Sequence, residues 1–296
     1  MQQRIRCQLA FVGICLFWGT SNLVTKIGVD GLSPTVFASI RYLTAGLIML
    51  VLAHIRGQSL PHDKKLLGKL LFIGSIMHFG TNGCVVLSNK MIDSGVVTIL
   101  LATVPIFVAL IQTFILRTQK LYLTGKLGLA GGFCGILLVA AGNGDQKASA
   151  LGIGLGLFGA FLWAIGSMMS SGLNLQKDIL AVTSMQMLFA AVLFVITGLF
   201  THTYELPPTD LHVLWPAFYM AIVDSTLGFL LYSWLLQVWD PVKTATYAYI
   251  NPVVALVLGA VFLHETITPA KITGMVLIII SVFLIQRKST KKERRS

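Results

Sequence analysis

The chain has 296 residues, of which 55% are hydrophobic and only 11% charged, and its mean hydropathy is +0.82; an ordinary soluble domain carries roughly 25% charged residues. A water-soluble globule cannot hide that much apolar sequence, which excludes a soluble enzyme or a soluble nucleic-acid-binding domain. The net charge of +11 forms no basic face interleaved with aromatics, so no nucleic-acid partner is expected and the charge is read as topology.

A helix that crosses a bilayer needs about 20 mostly apolar residues. Ten such stretches occur in order, near 8–26, 33–53, 66–88, 94–116, 125–143, 150–172, 179–200, 211–237, 242–263 and 270–286. The expected fold class is therefore all-α and integral to the membrane. Arg4 and Arg6 precede the first stretch, which runs past Trp18 without a small-residue cleavage site, so a retained first helix is expected. Three helix starts carry ordinary cap chemistry, Ser33-Pro34, Asp240-Pro241 and Thr268-Pro269, each a side-chain acceptor followed by proline at the first helical position. The longest loops, around Leu60 and Glu205, are too short to fold as domains. Most of the 22 Lys and Arg fall on one side if both termini are cytoplasmic; Lys26, Lys90, Lys147 and Lys271 fall on the other and Arg41 lies within a span. That bias sets the expected orientation. Cys7, Cys15, Cys84 and Cys134 lie in spans or at the cytoplasmic edge, and neither a disulfide nor a metal site is expected.

Sliding the chain on itself by 145 residues lays Trp18 on Trp163 and Arg41 on Gln186; a shift of 147 lays Ser94 on Pro241, Pro105 on Pro252 and His78 on Ser225. Two units of five spans follow, 1–145 and 146–286, with 287–296 as a basic cytoplasmic tail. Because five is odd, the second unit enters the membrane from the opposite side, giving two inverted five-helix repeats around a central cavity.

Residues 154–159 read G-L-G-L-F-G, the letters of a dinucleotide fingerprint, but no strand precedes them. Gly152, Gly156 and Ala160 instead recur at the spacing that lets membrane helices approach closely. His264-Glu265 begins like a zinc-protease motif but lacks the second histidine.

Ionisable groups deep in the bilayer cost about 2.5–3.5 kcal/mol each by insertion scales, so Arg41, His78 and Asp224 stand out. Gly74, His78 and Asn82 are expected to share one helical face, as are Asp224, Gly228 and Tyr232, with Ser225 adjacent. Those faces are the candidate cavity wall. Two readings remain open: Asp224 pairs structurally with His78 or Arg41, or Asp224 takes up a proton or binds a substrate cation. Asn22 on the first helix, and Ser167 on the sixth, accompany the mid-span indoles Trp18 and Trp163 as further candidates. Pro105 and Pro252 each free a carbonyl one turn upstream and are candidate hinges.

Phe17-Trp18-Gly19-Thr20-Ser21, Lys26, Pro34 and Arg41-Tyr42 resemble the first hairpin of EamA-type members of the drug/metabolite transporter superfamily. Tyr249-Ile250-Asn251-Pro252-Val253, then Gly259, Glu265, Ile267-Thr268 and Gly274, resemble its last two helices. The likeness covers essentially the whole chain, although Arg117-Thr118-Gln119 stands where the family often repeats the acidic residue. The resemblance implies eight helices around a central cavity, with the fifth and tenth peripheral, working by alternating access. Tyr249 joins the candidate site on this ground.

The expected function is a transporter, not an enzyme, moving a small organic metabolite such as an amino acid or related amphipathic compound across the plasma membrane, with export favoured by the resemblance. A multidrug or lipophilic-cation exporter and an uptake carrier are alternatives of the same fold; an integral-membrane enzyme acting on lipid-linked substrates is the alternative of another class. Phosphorylated substrates would demand more deep Lys or Arg than Arg41 alone. No cofactor is expected beyond a coupling proton, and the expected state is a monomer or weak homodimer in the lipid bilayer.

Overall fold

The computed structural model describes residues 2–60, 63–115, 117, 123–141, 149–171, 178–206, 209–238 and 247–286. Among these residues every regular element is helical. In chain order they are α1 (Gln2–Gly31), α2 (Pro34–Ile55), α3 (Lys64–Met91), α4 (Ser94–Ile115), α5 (Leu123–Ala141), α6 (Ala150–Ser171) and α7 (Ile179–Phe200). Then come α8, running through Leu211–Tyr219, Met220–Gly228 and Phe229–Val238, followed by α9 (Tyr247–Leu263) and α10 (Pro269–Gln286). Seven helices, α1 to α4 and α6 to α8, are long and apolar enough to cross a membrane, and three further apolar stretches, 123–139, 250–263 and 269–281, are shorter.

The side-chain pattern is that of a bundle in lipid. On α2 the buried set Tyr42, Ala45, Met49 and Ala53 faces α7, while Leu43, Leu47, Val51 and Ile55 recur every fourth residue on the exposed side. Water would reject such a stripe; acyl chains accept it. Small residues set the closest crossings. Gly152 lies against Ile92 and Met91, and Gly156 against Leu100 and Ser88, while Ser88 donates to the Gly152 carbonyl at 2.7 Å. The G-L-G-L-F-G letters thus mark packing of α6 on α3 and α4. Where α5 crosses α10 the backbones themselves touch: a methyl on Gly135 would meet the Gly274 carbonyl oxygen at 2.8 Å, and one on Gly274 would meet that of Gly135 at 2.6 Å.

Two of the three expected caps form: Ser33 accepts from the Val36 amide at 3.4 Å and Thr268 from the Lys271 amide at 3.3 Å. Asp240-Pro241 lies outside the described residues. The junctions sort to two ends of the bundle. At one end the α1/α2, α3/α4, α7/α8 and α9/α10 junctions meet, with Thr35 beside Thr203 at 3.3 Å and Lys271 Nζ on Asp93 at 2.6 Å. At the other, Gln58 Oε1 accepts from the amides of Leu180 and Ala181 at 2.9 and 3.2 Å, capping α7 from the α2/α3 loop.

His264-Glu265 is a helix terminus. His264 takes a left-handed φ of 55° and the Glu265 amide folds back to the Gly259 carbonyl at 3.1 Å, a common way to end a helix. This turn delivers the Glu265 carboxylate to the start of α4, where it accepts from the Ser94 amide and hydroxyl, both at 2.8 Å, and from the Gly95 amide at 3.2 Å. The carboxylate lies over Gly259, where any Cβ would collide with it. Glu265→Ala removes all three acceptances and the favourable charge at a helix N-terminus, and is expected to lower unfolding free energy by about 2–3 kcal/mol. Thermal unfolding of detergent-solubilised protein checks this; an unchanged midpoint contradicts it.

Both α3 and α8 contain π-helical turns, Ser75–Thr81 and Met220–Gly228. In each a threonine hydroxyl bonds the carbonyl five residues earlier, Thr81 to Ile76 at 3.2 Å and Thr226 to Ala221 at 2.9 Å. The two threonines are 145 residues apart. The two π-helical segments start 145 and end 147 residues apart, the same two shifts that the sequence comparison used.

Candidate functional site

A cavity of about 420 Å³ lies between helices from both halves of the chain, within the usual range of small-molecule sites. Trp18, Asn22, Arg41, Asn82, Trp163, Ser167, Asp224 and Tyr232, all candidates from sequence, line it, as do the candidate hinges Pro105 and Pro252. Two expected residues, His78 and Ser225, do not.

Arg41 and Asp224 form the charged centre. Arg41 is 5% and Asp224 6% exposed, and the guanidinium pairs with the carboxylate through a single nitrogen. Arg41 Nε also donates to Ser225 Oγ at 2.9 Å, a second nitrogen to Asn82 Oδ1 at 3.4 Å, and the cation lies 4.9 Å from the Tyr42 ring centre. The other Asp224 oxygen accepts from Ser21 Oγ, and the Asp224 backbone carbonyl accepts from Trp18 Nε1 at 3.3 Å. Ser225 thus positions Arg41 from behind the wall. A buried charge persists only when paired and hydrogen-bonded, and both partners here are.

His78 does not join this pair. It is buried between the rings of Tyr42 at 5.5 Å and Phe229 at 5.6 Å, and its Nδ1 has no partner among the described residues. His78 and Asn82 both meet α2, His78 at the Tyr42 ring and Asn82 at Arg41, but only Asn82 reaches the cavity. Asp224, Gly228 and Tyr232 do converge, on the Trp18 indole; Gly228 leaves room for it and the Tyr232 ring packs against it at a tilt, 5.2 Å between centres. The Tyr249 side chain lies outside the described ones.

The wall beside the ion pair is aromatic. Trp18 meets Phe229 at 5.7 Å and Tyr247 at 4.8 Å, and Trp163 reaches Phe229 at 6.2 Å. On the polar side Asn22 donates to Thr98 at 2.8 Å and accepts from Asn89 at 2.8 Å.

Sequence reasoning missed Ser21, Thr98, Tyr247, Phe229 and Asn251. Ser21 stands one helical turn from Trp18, and Asn251 precedes Pro252, which were the available signals. Asn251 is 8% exposed, lines the cavity, and has an amide oxygen without a partner among the described residues. The prolines differ: α4 is interrupted at Ala102–Thr103, just before Pro105, whereas α9 runs through Pro252. Among the described residues no group of three His, Cys, Asp or Glu could hold a metal.

A chain of the same fold, from a crystal structure, superposes with a TM-score of 0.68 over 98% of this chain and 99% of that one, at 16% identity. The sequence is 30% identical over 93% of its length, and 89% of the relative, to an uncharacterized inner membrane transporter, YedA, of Escherichia coli. It is 25% identical to an uncharacterized transporter, YoaV, of Bacillus subtilis, covering 95% of this chain and 96% of that one. A probable amino-acid metabolite efflux pump of Salmonella typhimurium is 24% identical over 92% of this chain and 91% of its own. The pattern of the EamA-like transporter family matches twice, over residues 5–141 and 150–287. With a cavity that holds a buried ion pair inside an apolar helical bundle and a family match along nearly its whole length, the chain belongs to the EamA-like transporter family.

Proposed function

We propose that this transporter carries a small organic metabolite, an amino acid or related amphipathic compound, through the Arg41–Asp224 cavity by alternating access. The observation that carries the reading is a buried, self-balanced ion pair set beside indoles and amides at the meeting of the two halves. The ten helices act as two inverted five-helix units, 1–145 and 146–286. Three findings support this: the family pattern matches in two successive segments, the π turns of α3 and α8 recur 145 residues apart, and the α2/α3 and α7/α8 junctions sit at opposite ends of the bundle. Arg56, Lys64, Lys65 and Lys69 near the end that holds Gln58 support a cytoplasmic assignment for that end, with both termini on it and the protein in the inner membrane. Export is supported by the relatives named as efflux pumps.

Proteoliposomes loaded with a metabolite mixture test the reading. Saturable flux of at least one compound without chemical change is expected, and flux absent for every compound overturns it. An imposed pH gradient in the same vesicles decides coupling: Asp224→Asn abolishes any proton-driven component if Asp224 carries the proton, and leaves it intact otherwise.

A further inference from the structure

The two π turns meet at one side chain. Thr81 of the first and Asp224 of the second line the cavity, and Arg41 on α2 is bonded to both regions. Its Nε donates to Ser225 at 2.9 Å and its guanidinium pairs with Asp224, both within Met220–Gly228. Another of its nitrogens donates at 3.4 Å to Asn82, the first residue beyond Ser75–Thr81. Asn82 passes that contact into the backbone of α3, because its amide nitrogen donates at 3.1 Å to the Met77 carbonyl, five residues back. α2 itself runs as regular helix from Pro34 to Ile55 and packs along α7, so Arg41 is carried on a firm base.

A π turn holds one residue more than an α-helix of the same length and bends the helix where it occurs. Such a turn persists where its surroundings over-determine it. Here the Thr81 and Thr226 hydroxyls and the Asn82 amide bond carbonyls five residues earlier, and Arg41 holds Asn82 and Ser225 in place. Withdrawing the guanidinium takes a partner from both sets at once. The half-helices beyond the turns, Asn82–Met91 and Phe229–Val238, point to different ends of the bundle, since α3 finishes where α8 begins.

We propose that Arg41 couples the two π turns: an event that draws its guanidinium away from Asp224 releases Asn82 and Ser225 together, and α3 and α8 re-wind toward α-helix in concert. Re-winding one such turn rotates the half-helix beyond it by about 100°, one residue of helix. One switch at the centre of the bundle thereby reaches both of its ends. The coupling belongs to the empty protein and needs no particular cargo.

The test measures distances between paired spin labels on the full chain in lipid nanodiscs, with Cys7, Cys15, Cys84 and Cys134 replaced by serine. Leu47→Cys on α2 carries the reference label, Leu87→Cys reports α3 beyond its turn, and Leu227→Cys reports the α8 turn; all three positions are exposed. Thr226→Val removes a bond of the α8 turn only. It is expected to shift the label at 227 by about 5 Å, of the order of one residue's step around the rim of a helix, and the label at 87 by a similar amount. Asn82→Leu, made on the α3 side, is expected to shift both as well. The Arg41→Leu, Asp224→Leu double variant, which buries no lone charge, is expected to show both shifted distances already, with Thr226→Val adding nothing at 87. Where it fails to fold, Arg41→Lys keeps the charge and gives up the fork, and Thr226→Val added to it is expected to leave the distance to 87 unchanged. A shift at 227 without one at 87 in the otherwise unaltered chain shows two independent turns and overturns the coupling. So does a shift of 87 by Thr226→Val that persists without the guanidinium, or no shift at either label. Flux absent for every compound overturns the transport reading and leaves these distances as the measure of the coupling.

Discussion

Asp224→Ala is expected to destabilise the protein by about 3–5 kcal/mol, because it leaves the Arg41 cation buried without its counter-charge. The remaining partners, Ser225 and Asn82, are neutral, and the Tyr42 face offers about 2 kcal/mol, less than the lost counter-charge. The double variant Arg41→Leu, Asp224→Leu removes both charges and is expected to recover most of the loss, since apolar replacement of a buried pair is often neutral or better. Transport by the double variant is expected to be lost. Unfolding of purified protein, paired with vesicle flux, gives both quantities. A double variant as unstable as the single one would show that the pair is not coupled in this way.

The second large effect is expected at the crossing of α5 and α10. Gly135→Leu and Gly274→Leu each place a side chain against the facing backbone carbonyl. Backbone cannot swing aside as a side-chain end can, so each variant is expected to cost about 3 kcal/mol or more, at the upper end of overpacking effects. Gly154→Leu is the control, because nothing lies within 4 Å of its added carbon, and it should leave stability within about 0.5 kcal/mol. Comparable losses for Gly154 and Gly274 variants would contradict the close-contact account.

Much of the site was legible because lipid makes polarity conspicuous. Arg41 and Asp224 stand out in an apolar run, since a charge there must be paired inside the bundle, and the cavity does bring them together. Trp18 and Trp163 were legible by recurrence. What escaped was local geometry. Helical spacing puts His78 with Asn82, but only the fold shows that His78 is held between the Tyr42 and Phe229 rings, and only the hydroxyl bonds of Thr81 and Thr226 to carbonyls five residues back reveal that the turns are wider. Nothing in the letters H-F-G-T-N announces this. Residues such as Thr98 and Ser21 escaped because hydroxyls are frequent in membrane helices and most satisfy their own backbone; only the fold shows which of them meet Asn22 and Asp224. The task of His264-Glu265, crossing from the end of α9 to the head of α4, is a long-range contact that no local pattern encodes.

That tie also bears on how the two halves can move. Two amides and a hydroxyl of α4 are satisfied by a carboxylate carried just past the end of α9, with Gly95 and Gly259 shaved to admit it. Prising the helices apart there would strand all four groups, whereas pivoting about the joint would strand none. The expected motion is a scissor-like swing hinged at Ser94, with displacement growing toward the far tip of α4, so a spin label near Phe114 should travel farther during turnover than one beside Asp93.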